Sequence, residues 1–313
     1  MLLPSLGLLV GLAVLVFAAD QFVIGAVRIA ARLRLSTVVI GAVIIGFGTS
    51  APEMVVSGLA ASQGNLDISA GNIIGSNIAN LTLVLGAAAL VTPVLVASPT
   101  IRREAPLSLG ATAVFALLVQ NGLTRVEGVV LLGLLIAILV LMVRSSRAAD
   151  PEISDEVEEY LGEVVETAAK DTLRTVVGLV GTLAAAQLLV MSARSLASAA
   201  GLAEGFVGLT IVAIGTSLPE LATSLQAARK GETDLIVGNL LGSNIFNSLA
   251  VAGIAALAGP GRVDDPSLTG VAVVLMLAVA VFATISMITG RRVVRAEGML
   301  LLVVYVAMLP LVS

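Results

Sequence analysis

A block of forty residues occurs twice in this chain. GAVIIGFGTSAPEMVVSGLAASQGNLDISAGNIIGSNIAN begins at Gly41, and GLTIVAIGTSLPELATSLQAARKGETDLIVGNLLGSNIFN begins at Gly208. The offset of 167 residues holds without a gap, carrying Glu53 to Glu220, Gly71 to Gly238, Ser76 to Ser243 and Asn80 to Asn247. With a one-residue slip the relation reaches back to Arg28 and Arg194. Self-similarity on this scale means that one architecture must serve both halves.

That architecture is built for lipid. The 313 residues are 58% hydrophobic and 12% charged, with a mean hydropathy of +1.08, whereas a soluble domain carries about 25% charge. Runs such as VVLLGLLIAILVLMV, Val129 to Val143, are candidates to cross a hydrocarbon core of ~30 Å. No segments alternate in the manner of a transmembrane barrel. Ten apolar stretches lie near 5–30, 36–62, 68–93, 105–121, 126–143, 174–199, 204–227, 234–257, 268–288 and 296–312. The first lacks a basic n-region and stays apolar past any plausible cleavage point, so it reads as a retained span.

Five spans per half is an odd number, so the second copy must enter the membrane upside down. The expected fold is an all-α polytopic membrane protein of ten helices. Residues 1–145 form one five-helix repeat, 146–173 an acidic linker, and 174–313 the inverted second repeat. Inverted repeats are typical of secondary transporters. Lys and Arg give a separate check. Arg28, Arg32, Arg34, Arg102, Arg103, Arg144, Arg147, Lys170, Arg174, Arg229, Lys230, Arg291, Arg292 and Arg295 fall on one side of this map, and only Arg125, Arg194 and Arg262 on the other. The rich side should be cytoplasmic, which puts both termini outside and the linker inside.

The polar residues within the oil are few and doubled. G-T-S-x-P-E falls mid-span in both halves. Proline lacks an N–H and clashes with the preceding turn, so spans two and seven should be discontinuous, eased by Gly48 and Gly215. The freed carbonyls are tolerated at membrane depth only inside protein or against a polar cavity. The second motif is G-N-x-x-G-S-N-I-x-N. Ser76 with Asn80, and Ser243 with Asn247, share a helix face, with Asn72 and Asn239 a turn earlier. There is no Cys and no His, so any bound metal is a hard cation held by oxygen. Two Glu, two Asn, hydroxyls and carbonyls suit Ca²⁺ or Na⁺. Two carboxylates balance one Ca²⁺, and an empty site would carry two negative charges through low dielectric. Exchange for another cation is therefore favoured over uniport, with Na⁺ and H⁺ both open as the counter-ion.

Plainer readings stand beside these. The G-T-S-x-P-E pair could be a structural kink with a neutral Glu, and the Ser/Asn faces could be packing glue between helices. Asp20, whose counterpart Ala186 is apolar, could line a pathway or cap a helix. Asp67 and Asp234 read as ordinary loop residues. The linker DPEISDEVEEYLGEVVETAAKD lacks the order of an EF-hand loop; its apolar residues fall at helical spacing, as in an amphipathic surface helix.

At GTSAPE with GNIIGSNIAN, and GTSLPE with GNLLGSNIFN, the sequence resembles the sodium/calcium exchanger branch of the cation/Ca²⁺ antiporter superfamily, over essentially its whole length. The resemblance implies a core of spans 2–3 and 7–8, with spans 1 and 6 sliding past it. It implies Na⁺ influx driving Ca²⁺ efflux, usually three Na⁺ per Ca²⁺. By motif position, Glu53 and Glu220 would coordinate Ca²⁺ with the carbonyls of Thr49 and Thr216. Ser50, Ser76, Ser217 and Ser243 would join Na⁺ sites with the carbonyls of Gly46 and Ala213, and Asn80 and Asn247 would complete the centre. Asn247 stands where the potassium-dependent relatives have Asp, which argues against K⁺ co-transport. The chain is thus expected to be a cell-membrane antiporter and not an enzyme, with no cofactor, no nucleic acid and no obligate protein partner, moving Ca²⁺ against Na⁺. A Ca²⁺/H⁺ antiporter, a passive cation channel and an intramembrane hydrolase are the competing readings.

Overall fold

A computed structural model of the chain describes residues 2–33, 49–96, 103–145, 167–231 and 233–312. Helix occurs within each of the ten apolar stretches. We label these α1 (Leu2–Arg32), α2 (Ala51–Ser62), α3 (Leu66–Val91), α4 (Glu104–Leu118), α5 (Arg125–Ser145) and α6 (Ala168–Ala200). Then come α7 in two pieces, α7a (Glu204–Thr216) and α7b (Leu218–Lys230), and α8, which runs from Thr233 to Ala258. Last are α9 (Val271–Gly290, preceded by the short turn Pro266–Thr269) and α10 (Arg295–Met308). Among the described residues six helices are long and apolar enough to cross a membrane, or seven with the bent α7 pair.

Small residues set the packing. α1 and α6 lie antiparallel along their whole length. A Cβ on Gly11 would meet the Leu189 backbone at 3.3 Å, and one on Gly178 would meet Phe22 N at 2.5 Å. At 31 and 33 residues these helices reach about 46–50 Å, well beyond a ~30 Å core, so they tilt or protrude. At one end of the pair, fully buried Asp171 on α6 accepts from Arg32 Nε at 2.9 Å, with Arg28 Nη1 at 3.8 Å. Thr167 caps α6 by accepting from Lys170 N. The helix thus starts six residues before the apolar stretch at 174 and takes in Lys170 and Asp171, which the sequence reading had left in the linker. The rest of that linker, residues 146–166, lies outside the described residues.

The remaining helices form the larger core, in which inter-helix contacts come in related pairs. Gly86 on α3 packs against Gly298 on α10, each within 2.9 Å of where the other's carbonyl would meet an added Cβ. Gly253, 167 residues after Gly86, packs in the same mutual way against Gly128 on α5, at 3.0 and 3.2 Å. Loop contacts are doubled as well. β1 (Val94–Leu95) pairs antiparallel with β2 (Arg292–Val293). Leu123 and Gly261 exchange two backbone hydrogen bonds of 2.9 Å, at the opposite end of α4. α3 crosses α7a most closely: an added Cβ on Gly75 would sit 2.1 Å from the Leu209 carbonyl oxygen, and one on Gly71 2.4 Å from that of Gly205.

Asp67 lies in the first turn of α3, where it accepts from Asp264 N at 2.8 Å. It is a helix-start residue that ties down a neighbouring loop, not a bare loop residue as expected. Asp20 sits inside α1, exposed, and accepts from Gln21; it caps nothing.

The α3–α7a crossing makes a direct prediction. Gly75→Ala must push two backbones apart, a strain on the order of 1–3 kcal/mol. Its thermal midpoint in detergent should fall by several degrees. Gly110→Ala on α4 meets nothing within 4 Å and should hold or raise the midpoint, since Ala is the better helix former.

Candidate ion-binding site

The site starts from a break in α7 and from the equivalent turn ahead of α2. α7a ends at Thr216 and α7b restarts at Leu218, bent by 44°. The hinge residue Ser217 has φ −86° and ψ 8°. Its repeat equivalent, Ser50, has φ −88° and ψ 6°, and α2 starts just after it. Both fall in the sparsely populated bridge region. In each case proline follows near the start of the new helix, where a missing N–H costs nothing. The break therefore has a second effect: it places Glu53 and Glu220 in the first turn of a helix, where the helix dipole favours a negative side chain. That is how an acid is held in so apolar a stretch. Residues 34–48, among them Gly46 and Gly48, lie outside the described residues.

Both carboxylates are fully buried, one from each repeat. Ser217 Oγ donates to Glu53 Oε1 at 3.4 Å, a contact that crosses between halves. Ser243 Oγ donates to Glu220 Oε1, also at 3.4 Å. The second oxygen of each carboxylate, Oε2, is buried with no partner. The same is true of Ser50 Oγ, Ser76 Oγ, Asn80 Oδ1 and both polar atoms of the Asn247 amide. Unpaired buried polar atoms are rare, and each one needs an explanation. Here they are contributed by both repeats and include six oxygens. Among the described residues no group of three His, Cys, Asp or Glu side chains could hold a metal. A cation at this place would be held by two carboxylates with neutral oxygens, the ligand set of Ca²⁺ and other hard ions.

Thr49 and Thr216 are buried at the breaks. The Thr216 hydroxyl donates to Asn72 Oδ1 at 3.1 Å and to the Ala213 carbonyl at 3.3 Å. That carbonyl also receives Ser217 N–H at 3.1 Å. Ala213 O, a proposed ligand, thus already carries two hydrogen bonds.

Some residues here were not singled out from sequence. α3 widens into a π-turn over Asn80–Val84, and α8 does the same over Asn247–Val251. The two π-turns begin at equivalent residues, and both begin at a proposed ligand. Such turns recur at functional sites because they displace a side chain and loosen the backbone ladder. A third covers Gly208–Val212 in α7a. Around the turns runs a buried polar chain. Asn80 Nδ2 donates to Asn244 Oδ1 at 3.0 Å, and Asn244 Nδ2 to the Asn77 carbonyl at 3.2 Å. Asn77 Nδ2 donates to Ser248 Oγ at 3.1 Å, and Ser248 Oγ to Thr112 Oγ1 at 3.5 Å. Asn77 and Asn244 are themselves 167 residues apart, so the two repeats touch at equivalent residues. The doubled S-N inside the second motif was the available signal.

Known proteins resemble this chain along nearly its whole length. The family profile described as sodium/calcium exchanger protein matches residues 3–144 and 171–313. CaxA of Alkalimonas amylolytica is 44% identical over 98% of this chain and 97% of its own. The sodium/calcium exchanger MaX1 of Methanosarcina acetivorans is 31% identical over 96% of each chain. Among solved structures, the sodium-calcium exchanger NCX_Mj, from a crystal soaked with Na⁺ and Sr²⁺, superposes with a TM-score of 0.67. It has 30% identity over 99% of this chain and 98% of its own. With a profile match across both halves and a full-length relative at 44% identity, this chain belongs to the sodium/calcium exchanger family, as a multi-pass membrane antiporter.

Proposed function

We propose that the protein exchanges Ca²⁺ for Na⁺ by alternating access, with Na⁺ influx driving electrogenic Ca²⁺ extrusion. The observation that carries this reading is the pair of buried carboxylates, Glu53 and Glu220, one from each half and each with an unpartnered oxygen. One Ca²⁺ neutralises both. When it leaves, two like charges remain in low dielectric, and monovalent cations must replace it before the site can cross the membrane. Three Na⁺ in its place would carry one net charge per cycle, which makes the exchange sensitive to membrane potential. The name of the relative MaX1 supports Na⁺ as the counter-ion.

In this reading Glu53, Glu220 and the carbonyls of Thr49 and Thr216 hold Ca²⁺. Ser50, Ser76, Ser217 and Ser243, with the carbonyls of Gly46 and Ala213, complete Na⁺ sites, and Asn80 and Asn247 stand at the centre. The chain crosses the cell membrane ten times as two inverted halves, 1–145 and 174–313, with both termini outside. The 14-to-3 division of basic residues supports that orientation.

Everted membrane vesicles test the coupling. Added Na⁺ should release accumulated Ca²⁺ at clamped pH. Release only on a pH jump would make the protein a Ca²⁺/H⁺ antiporter, and flux indifferent to both gradients would make it a channel. Glu53→Gln and Glu220→Gln should each abolish Ca²⁺ transport while the protein stays monodisperse. Retained transport in either removes that carboxylate from the site. A ligand at a hundred times its Kd stabilises by about 2.7 kcal/mol. Ca²⁺ should therefore raise the thermal midpoint of the native chain and leave that of the Glu53→Gln, Glu220→Gln double variant unchanged.

A further inference from the structure

The two halves carry equivalent residues but not equivalent hydrogen bonds. In the first half, Asn72 Nδ2 on α3 donates to Ser57 Oγ on α2 at 2.9 Å, and Asn72 Oδ1 accepts from Thr216 on α7a at 3.1 Å. All three residues are buried. The 167-residue offset makes Asn239 and Ser224 the equivalents of Asn72 and Ser57. Asn239 Nδ2 instead turns to Thr223 Oγ1 at 3.3 Å, and the buried Ser224 Oγ is left without a partner. The pattern recurs nearer the centre. Asn80 Nδ2 reaches Asn244 Oδ1; the equivalent bond would run from Asn247 Nδ2 to Asn77 Oδ1, and both of those atoms are buried and unpartnered. Two links are made, and their two repeat equivalents are open.

The cover over the helices divides the same way. Nine of the 12 residues of α2 are buried, and Val56 and Ala60 sit in the cluster formed with α1 and α6. In α7b, the equivalent helix, only Glu220, Ser224, Ala227 and Ala228 of 13 residues are buried. Leu218 is 38% exposed where Ala51 is 3%. The long helix pair therefore shields the stretch from Ser50 to Ser62 and leaves the stretch from Ser217 to Lys230 open.

We propose that Asn72 and Asn239 are paired positioning residues of the exchange cycle. In this conformation the Asn72 link is closed and seals the site on the Ser62 side, while the open Asn239 link leaves it facing the Lys230 side. The opposite conformation breaks Asn72–Ser57 and Asn80–Asn244 and makes Asn239–Ser224 and Asn247–Asn77. The proposal rests on the alternating-access reading above. Its energetics follow from inverted repeats, in which exchanging the conformations of the two halves converts one state into the other. Each state makes one pair of links; in this one Ser224 Oγ, Asn247 Nδ2 and Asn77 Oδ1 are left unpaired, and Asn239 holds Thr223 in place of its link. The two states thereby stay close in free energy, as a reversible exchanger requires.

The native chain has no cysteine, so two single-cysteine reporters can read the equilibrium in the full-length protein in detergent. Val55→Cys and Ala222→Cys occupy equivalent positions on α2 and α7b; Val55 is half-buried against α1 and α6 and Ala222 is exposed. Losing one net hydrogen bond shifts a two-state equilibrium by about fivefold. Asn72→Ala should therefore speed maleimide labelling of Val55→Cys and slow that of Ala222→Cys, each by up to that factor. Asn239→Ala should do the reverse. Shifts of the same sign at both reporters, or no shift, would overturn the proposal, because a packing role loosens both sides alike. The milder Ser57→Ala and Ser224→Ala should reproduce the same opposed shifts, and they decide the matter if an asparagine variant does not fold. Labelling requires no ion flux. The Glu→Gln transport assays can therefore fail while the opposed shifts stand, and the reverse also holds.

Discussion

Two carboxylates buried together in a membrane protein are the constraint on which the rest of this structure depends. Neither can stay charged in low dielectric without compensation, and the protein supplies only part of it. Each acid receives one hydroxyl, from Ser217 or Ser243, and the positive end of the helix that begins at its own break. The remaining oxygens lack partners. The broken helices, the buried hydroxyls and the doubled asparagines all follow from making such a place tolerable to the chain and attractive to a cation. In the proposed reading that deficit is the ion's share: a site satisfied entirely by protein would have no call on an ion.

Close approach is what brings these groups together. α3 meets α7a at Gly71 and Gly75, and the outer helices α5 and α10 meet α8 and α3 at glycine pairs. Without a strong hydrophobic force between helices in lipid, small residues let backbones touch and dispersion do the holding. The α1–α6 pair is joined within itself by the same device and by the Asp171 ion pairs, and it meets the rest of the described fold along α2 and α7a.

Much of this was legible in the sequence. The repeat offset, the apolar runs and the mid-span proline located the helices, the break in α7 and both acids, because each is a local property that the chain states twice. What was not legible depends on register between distant helices. No local rule marks Asn80 and Asn247 as the first residues of π-turns. Asp171 looked like a linker acid because its partners, Arg28 and Arg32, lie some 140 residues earlier, and both arginines were read only as topology anchors. Asn239 shows the other limit. Its motif is the same as that of Asn72, but its hydrogen bond is different, and sequence symmetry cannot say which half of a symmetric device is engaged.

The paired π-turns also bear on how such a chain arose. A π-turn is a one-residue expansion of an α-helix, and here it begins at Asn80 and at Asn247, in the same register of both halves. Two independent insertions at one position are a poorer account than a single insertion inherited twice. The matching register makes the expanded turn part of the repeated unit itself. The residue that opens it keeps its place in both copies, while other positions have diverged, as Asp20 and Ala186 have done.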